Sequence, residues 1–302
     1  MSDEVKKESS FFSWCKLFRL PNLPTVPGDA IAGAAVISAL GLGVLDFKDI
    51  FASAFSLVLF YMFGLVDNDV VDFDRDKISS ADRPLPSGRI SRKAAIIAQA
   101  VCFVSAFVFP IILKFDKMWY LTAGMLVVSI LLYNRLKNPF LMGLCRALGV
   151  LSGMFSVFSV MPTLSQLLVI SSVCAGWCLY IFSVTKLSEG EEVSSPGISK
   201  LRFLGGATTL LPFLAAGIMK GMIAMIGSLF TLVMWCIIVM PLGEEHTSAE
   251  RKKAIGGSIR ALLYMQIGFI LIVPTKEFVA CTCVLWLISR FMKRLVPEIS
   301  GS

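Results

Sequence analysis

Histidine is all but missing from this 302-residue chain, which carries one, His246, and charged residues make up only 16% of it. A single histidine leaves no imidazole set for zinc and no His-based proton relay. The eight cysteines do not make up for it. They are scattered through apolar stretches, and neither Cys174/Cys178 nor Cys281/Cys283 has the further partners or the loop setting of a metal site. They read as small buried hydrophobes without disulfides. A cleavable leader is not expected either, because residues 1–10 are polar and the first apolar run is long and has no small-residue cleavage pattern. Polar surface is the largest deficit: a chain that is 56% hydrophobic does not form a water-soluble domain of this size.

What remains is a polytopic membrane chain, expected to be all-α, a single integral-membrane domain over residues 1–302 with a polar tail at 1–15. Apolar stretches recur at 25–45, 50–66, 94–113, 118–132, 144–160, 164–184, 203–219, 222–242, 261–273 and 278–288. The first eight have the length of spanning helices, roughly 17–25 residues. The last two are short, and form either two spans or one span followed by a surface helix, for a bundle of about nine to ten spans. The net charge of +7 is unevenly placed. Basic residues cluster at 16–19, 75–93, 135–146, 186–202 and 251–260, which are alternate segment ends, and those ends are expected to face the cytoplasm. This placement accounts for the basicity without a nucleic-acid partner. Arg290, Lys293 and Arg294 would put the C-terminus on the same side and favour ten spans.

The segment 68–88, NDVVDFDRDKISSADRPLPSG, sets a dense carboxylate cluster directly after a membrane-length apolar run. Asn68, Asp72 and Asp76 fall at i, i+4 and i+8, so on a helix they drift only about 80° around the axis and share one face. Asp69 and Asp74 add charge nearby. Carboxylates and a carboxamide without His or Cys are hard oxygen ligands, the set expected for Mg²⁺ carrying a phosphorylated substrate. A bare N-x3-D-x3-D could also be a charged cap on a membrane helix. Here it is followed at close distance by Arg83-Pro84-Leu85-Pro86-Ser87-Gly88.

The motif and its tail together resemble the first signature of the UbiA superfamily of intramembrane prenyltransferases. The resemblance implies a transmembrane helical bundle, usually of nine spans, that moves a prenyl group from a prenyl diphosphate to a hydrophobic or aromatic acceptor with Mg²⁺. It also implies a multi-pass protein among membrane lipids, in a bacterial inner membrane, with its active site facing the cytoplasm. The opening 21–29, PNLPTVPGD, together with 142–146 and 185–191, is similar to the EboC-like bacterial branch.

A weak internal repeat aligns Tyr61 with Tyr180, Asn68 with Leu187 and Asp72 with Glu191. It places the loop 185–195, TKLSEGEEVSS, where the superfamily carries a second Asp-rich motif. The aspartates are missing. Glu189, Glu191 and Glu192 offer the same oxygens on a longer stem and could ligate a second Mg²⁺, or the loop is a solvated acidic turn.

On this reading Asn68, Asp72 and Asp76 hold the metal, with Glu189 and Glu191 as second-loop candidates. Arg83, Lys137, Arg146 and Lys186 are the candidates to grip the diphosphate. Asp72, Asp76 and Arg146 are the expected catalytic residues. Arg146 stands out because it continues into an apolar helix, where charge is expensive unless paired or functional. Positive-inside topology alone explains the other cations equally well. Tyr133 is the aromatic expected beside the allylic cation. Asn22 and Asp29, early in the first apolar run, are expected at the acceptor or, for Asp29, paired with Arg146. The competing function is a carrier of prenyl or lipid diphosphates that breaks no bond.

Overall fold

The computed structural model describes residues 10–189, 198–242 and 247–295. Thirteen helices run through them: α1 (Ser10–Leu17), α2 (Thr25–Ala39), α3 (Phe47–Val71), α4 (Phe73–Ser79), α5 (Arg92–Ile112), α6 (Lys117–Leu136), α7 (Pro139–Val157), α8 (Leu164–Ser188), α9 (Ile198–Thr208), α10 (Leu210–Ile218), α11 (Met222–Val239), α12 (Ser248–Ile270) and α13 (Lys276–Leu295). Among the described residues there is no strand.

Helix starts follow from short polar side chains that bond the first free amides. Asp46 accepts from Lys48 N at 2.8 Å, Asp116 from Met118 N at 2.9 Å and Asn138 from Phe140 N at 2.9 Å. Thr163 with Gln166 and Thr247 with Glu250 form reciprocal capping boxes.

Six helices, α3, α5, α6, α7, α8 and α11, are long and apolar enough to cross a membrane. Their outer faces carry exposed Ile97, Val101, Val104 and Ile111 on α5 and Ile223, Phe230 and Ile237 on α11, surface suited to lipid. The chain is an integral membrane protein. Two of the eight expected spans fall short. The stretch 25–45 stops at Ala39, where Gly41 turns with φ 69°, and 203–219 is divided between α9 and α10. The apolar run 261–273 is the second half of the longer α12, and α13 is a separate helix.

The expected polar tail also ends early. Ser10–Leu17 is helical, and Leu17 packs with Val66, Leu85, Ile90 and Ala95, flanked by Trp14, Phe18 and Phe73. Trp14, Leu17 and Phe18 supply the packed apolar face, while Phe11 and Phe12 are exposed.

Glycines set the tightest helix contacts. A Cβ on Gly153 would stand 1.9 Å from the Ala30 carbonyl oxygen, and one on Gly33 would stand 2.1 Å from that of Val150. The backbones of α2 and α7 therefore touch, as small residues allow between membrane helices. At one end of the bundle the turns after α2 and α7 meet, with the Leu42 carbonyl accepting from Ser159 N at 2.9 Å and Val160 N at 3.0 Å. The acidic segment lies at the other end.

Candidate active site

The acidic motif is built at a helix break. Helix α3 ends at Val71, and Asp72 (φ −83°, ψ 0°) is both its C-cap and the N-cap of α4. The sequence pattern read as one uninterrupted helix, so this is a correction. The i to i−4 ladder nevertheless continues, because Asp72 N donates to Asn68 O at 2.9 Å and Asp76 N to Asp72 O at 2.8 Å. The three side chains therefore remain stacked turn on turn.

The Arg-Pro-Leu-Pro-Ser-Gly tail then folds back. Leu85 is buried beside α1, the Ser87 hydroxyl donates to Arg83 O at 2.7 Å, and Gly88 takes φ 74°, which favours glycine. This turn brings Arg83 Nη1 to 2.7 Å from Asp76 Oδ2.

A single ammonium ties the upper half of the motif. Lys137 caps α6 in the left-handed region, φ 52°, and its Nζ donates to Asn68 Oδ1 at 2.6 Å and to Asp72 Oδ2 at 2.7 Å. Arg75 reaches the same Asp72 oxygen at 2.9 Å. Two hard oxygens thus converge on one positive charge, as the ligands of a cation do. Among the described residues no three carboxylate, His or Cys side chains are grouped to cage a metal unaided. That fits Mg²⁺, which takes one or two protein carboxylates and completes its shell with phosphate oxygens and water.

These residues open onto a cavity of about 560 Å³. Polar walls come from Arg19, Asn22, Asn68, Asp72, Arg75, Arg83, Asn134, Lys137, Glu189, Lys252 and Arg260, and apolar walls from Leu57, Phe60, Leu126, Ile130, Ile181 and Val184. Leu57 precedes Asp72 by fifteen residues, so the two lining residues stand about 22 Å apart along the helix.

Deeper in, Asp29 is 2% exposed and sits at the meeting of four helices. Trp177 Nε1 of α8 and Gln266 Nε2 of α12 donate to its Oδ1 at 2.9 and 2.6 Å. Arg146 Nε of α7 stands 3.0 Å from Oδ2, off line for a hydrogen bond, so the contact is an ion pair. Arg146 Nη2 and Gln266 Nε2 also share the Thr25 carbonyl, at 2.8 and 2.7 Å.

Of the residues singled out from sequence, Asn22, Asn68, Asp72, Arg83, Tyr133, Lys137, Arg146 and Glu189 line this one cavity. Asp76 lies behind the wall, 2% exposed and held by Arg83. Lys186 turns away to pair with Glu189. Glu191 and Glu192 lie outside the described residues.

Sequence reasoning passed over several members. Asp67 accepts from Gln99 Nε2 at 3.0 Å and Asn134 Nδ2 at 2.8 Å, tying α3, α5 and α6 together beside Asn68. An acidic residue in the last turns of an apolar span, with a glutamine in the next, was the available signal. Arg251, 2% exposed, donates to the carbonyls of Leu187 at 2.7 Å and Glu189 at 2.6 Å and so fixes the end of α8. Lys252 and Arg260 belong to the basic segment end at 251–260, and their i, i+8 spacing on α12 puts them on one face.

A model of the UbiA prenyltransferase family matches residues 30–265. Among curated proteins, the chain is 30% identical over 120 residues to a digeranylgeranylglyceryl phosphate synthase of Methanococcus aeolicus, covering 40% of each chain. It is 34% identical over 105 residues to the synthase of the same name from Saccharolobus solfataricus, covering 35% of this chain and 36% of that one. The alignments thus span less than half the length of these relatives. Among solved structures, a UbiA homologue from Aeropyrum pernix superposes with a TM-score of 0.65 at 16% identity, over 85% of this chain and 97% of that one. A structure bearing on digeranylgeranylglyceryl phosphate synthase in membranes gives a TM-score of 0.60 at 19% identity, over 87% and 98%. At these identities the likeness is one of fold.

Proposed function

The chain belongs to the UbiA prenyltransferase family, and from that premise we propose that it transfers a prenyl group from a prenyl diphosphate to a hydrophobic or aromatic acceptor within the membrane. The observation that carries this reading is the cavity itself: a charged mouth with carboxylates and cations shares one cavity with the apolar walls of Leu57, Phe60, Leu126, Ile130, Ile181 and Val184. A prenyl diphosphate has the same division, a polyanionic head on a long apolar chain.

Asn68 and Asp72, with Asp76 behind them, would hold Mg²⁺, which supplies neutralisation of the charge that develops on the departing diphosphate. Arg83 and Lys137 line the same mouth and present N–H groups to phosphate oxygens. Glu189 reaches the mouth from the end of α8, opposite the break at Asp72, and serves the head group from the second loop. Glu191 is proposed beside it from the sequence repeat alone. Below the mouth, Tyr133, Phe60 and Tyr61 offer ring faces to an allylic cation. The apolar walls keep water from trapping that cation. Arg146, fixed by Asp29, faces the acceptor end with Asn22. The basic segment ends support a mouth on the cytoplasmic side, and a bacterial inner membrane is proposed from the resemblance alone.

The test uses purified protein, Mg²⁺ and labelled geranylgeranyl diphosphate, and follows release of diphosphate with and without a membrane lipid extract as acceptor source. The parent releases diphosphate and Asp72→Ala does not, with both eluting as the same monodisperse species. Tight binding of the prenyl diphosphate without release in the parent would instead make the protein a carrier.

A further inference from the structure

Asp67 directly precedes the acidic motif but lies outside the cavity walls. It stands about 100° around α3 from Asn68 and is 6% exposed, turned toward α5 and α6. Gln99 Nε2 of α5 donates to its Oδ1 at 3.0 Å, and Asn134 Nδ2 of α6 donates to its Oδ2 at 2.8 Å. Arg135 Nη1 stands 3.4 Å from the same Oδ2. Asn134, itself 2% exposed, also donates from Nδ2 to the Gly64 carbonyl at 2.9 Å. Both hydrogens of that one nitrogen therefore go to α3, one to backbone and one to the carboxylate.

The residue type follows from this crossing. A carboxylate accepts from both neighbours, whereas an amide in its place would set its own NH₂ against one of the two donors. A charge in the last turns of an apolar span is otherwise expensive. Three residues beyond Asn134, on the same face of α6, Lys137 holds Asn68 Oδ1 and Asp72 Oδ2. The seam between α3 and α6 is thus closed twice. The two closures differ in permanence: Lys137 occupies oxygens that the motif offers to Mg²⁺, so entry of the metal and its diphosphate breaks that tie, while the bond from Asn134 to Asp67 involves none of them and remains.

We propose that Asp67 and Asn134 are positioning residues for the acidic motif. Their hydrogen bond keeps the end of α3 in register with the cap of α6 when Lys137 exchanges the Asn68 and Asp72 oxygens for those of phosphate. Asp67 acts through Asn68 and Asp72, and Asn134 acts through Lys137. Without the bond, the departure of the lysine leaves the seam with no polar tie at this level, and the oxygens that hold the metal move away from the donors that hold the head group. The inference rests on the transfer reading above, in which that motif and that lysine receive Mg²⁺ and the donor diphosphate.

The test reads metal binding without turnover. The full chain in phosphatidylcholine nanodiscs is loaded with geranylgeranyl S-thiolodiphosphate, an unreactive donor analogue, and titrated with Mn²⁺ followed by electron paramagnetic resonance. Thermal unfolding of each variant is measured alongside. Asp67→Asn and Asn134→Asp each bind Mn²⁺ about tenfold or more weaker than the parent, the effect of losing one charge-assisted hydrogen bond. The exchange variant Asp67→Asn/Asn134→Asp restores that bond with its direction reversed and returns to within about threefold of the parent. Lowered unfolding temperatures with parent-like Mn²⁺ binding in the single variants make the contact plain scaffolding and overturn the proposal. An exchange variant that regains its unfolding temperature but not its Mn²⁺ affinity overturns it equally. If an aspartate at 134 prevents folding, Asp67→Asn and Asn134→Ser decide alone, and an affinity within about twofold of the parent in both overturns the proposal. A parent that binds the analogue with Mn²⁺ but releases no diphosphate from geranylgeranyl diphosphate would overturn the transfer reading and leave this binding result standing.

Discussion

Replacing Asp29 by Asn keeps the shape of the side chain and removes its charge. Trp177 and Gln266 both donate to Oδ1, at 2.9 and 2.6 Å, so the carboxamide oxygen must stay on that side. Its NH₂ group then faces Arg146 Nε at what was a 3.0 Å ion pair, donor against donor. Arg146 is 14% exposed and keeps only the Thr25 carbonyl as a partner. Removing one partner of a buried pair costs about 3–5 kcal/mol, because the remaining charge is left uncompensated. For a chain of this length that corresponds to a loss on the order of 10 °C in apparent unfolding temperature. The assay is thermal unfolding of the detergent-solubilised protein, followed by near-UV circular dichroism. The double variant Asp29→Asn/Arg146→Met removes both charges and should recover roughly half of the loss, a coupling expected between residues in direct contact. An unfolding temperature for Asp29→Asn within about 1 °C of the parent, or strictly additive losses in the double variant, would refute the claim that this pair holds the inner wall of the cavity.

Gly153→Ala places a methyl 1.9 Å from the Ala30 carbonyl oxygen, so α2 and α7 must part by about 1.5 Å to reach ordinary contact. A cost of about 1–3 kcal/mol in unfolding stability is expected, together with reduced activity as the Asp29 contacts stretch, and unchanged values for both would count against the backbone interlock. Lys137→Met frees Asn68 Oδ1 and Asp72 Oδ2 of their resident ammonium, so Mn²⁺ alone, read by electron paramagnetic resonance, should bind about tenfold tighter than to the parent, whereas a lysine that does not compete for those oxygens predicts no gain.

The features legible in the sequence were those encoded over short distances. Apolar runs of spanning length gave α3, α5, α6, α7, α8 and α11, and the i, i+4, i+8 spacing placed Asn68, Asp72 and Asp76 in register even though α3 breaks at Asp72. Which cation serves which carboxylate was not legible. Lys137 and Lys186 have similar settings in the sequence, each at the basic end of an apolar run. Yet the left-handed cap of α6 aims one at the motif, while the other turns to Glu189 three residues on. Asp67 and Arg251 escaped notice because their partners come from other helices, 32 to 67 residues away for Gln99 and Asn134 and 62 to 64 residues away for Glu189 and Leu187. The start of α1 was misjudged for a different reason: polar residues before Ser10 outweighed Trp14, Leu17 and Phe18, which dock it.

The shell around Asp29 also fixes an order of events during synthesis. Its partners come from positions 146, 177 and 266, the last of them 237 residues downstream. At about 5–20 residues per second, the nascent chain waits on the order of 12–50 s between making Asp29 and making Gln266. Over that interval the carboxylate must be held in partly assembled states, first bare, then against Arg146, then with Trp177. The cavity closes only when α12 arrives and packs on α2, so a ribosome stalled anywhere before α12 leaves an acidic, open-sided bundle in the membrane. The same carboxylate that joins four helices in the finished bundle is thus an unmatched charge in the unfinished one until Arg146 and Gln266 have been made.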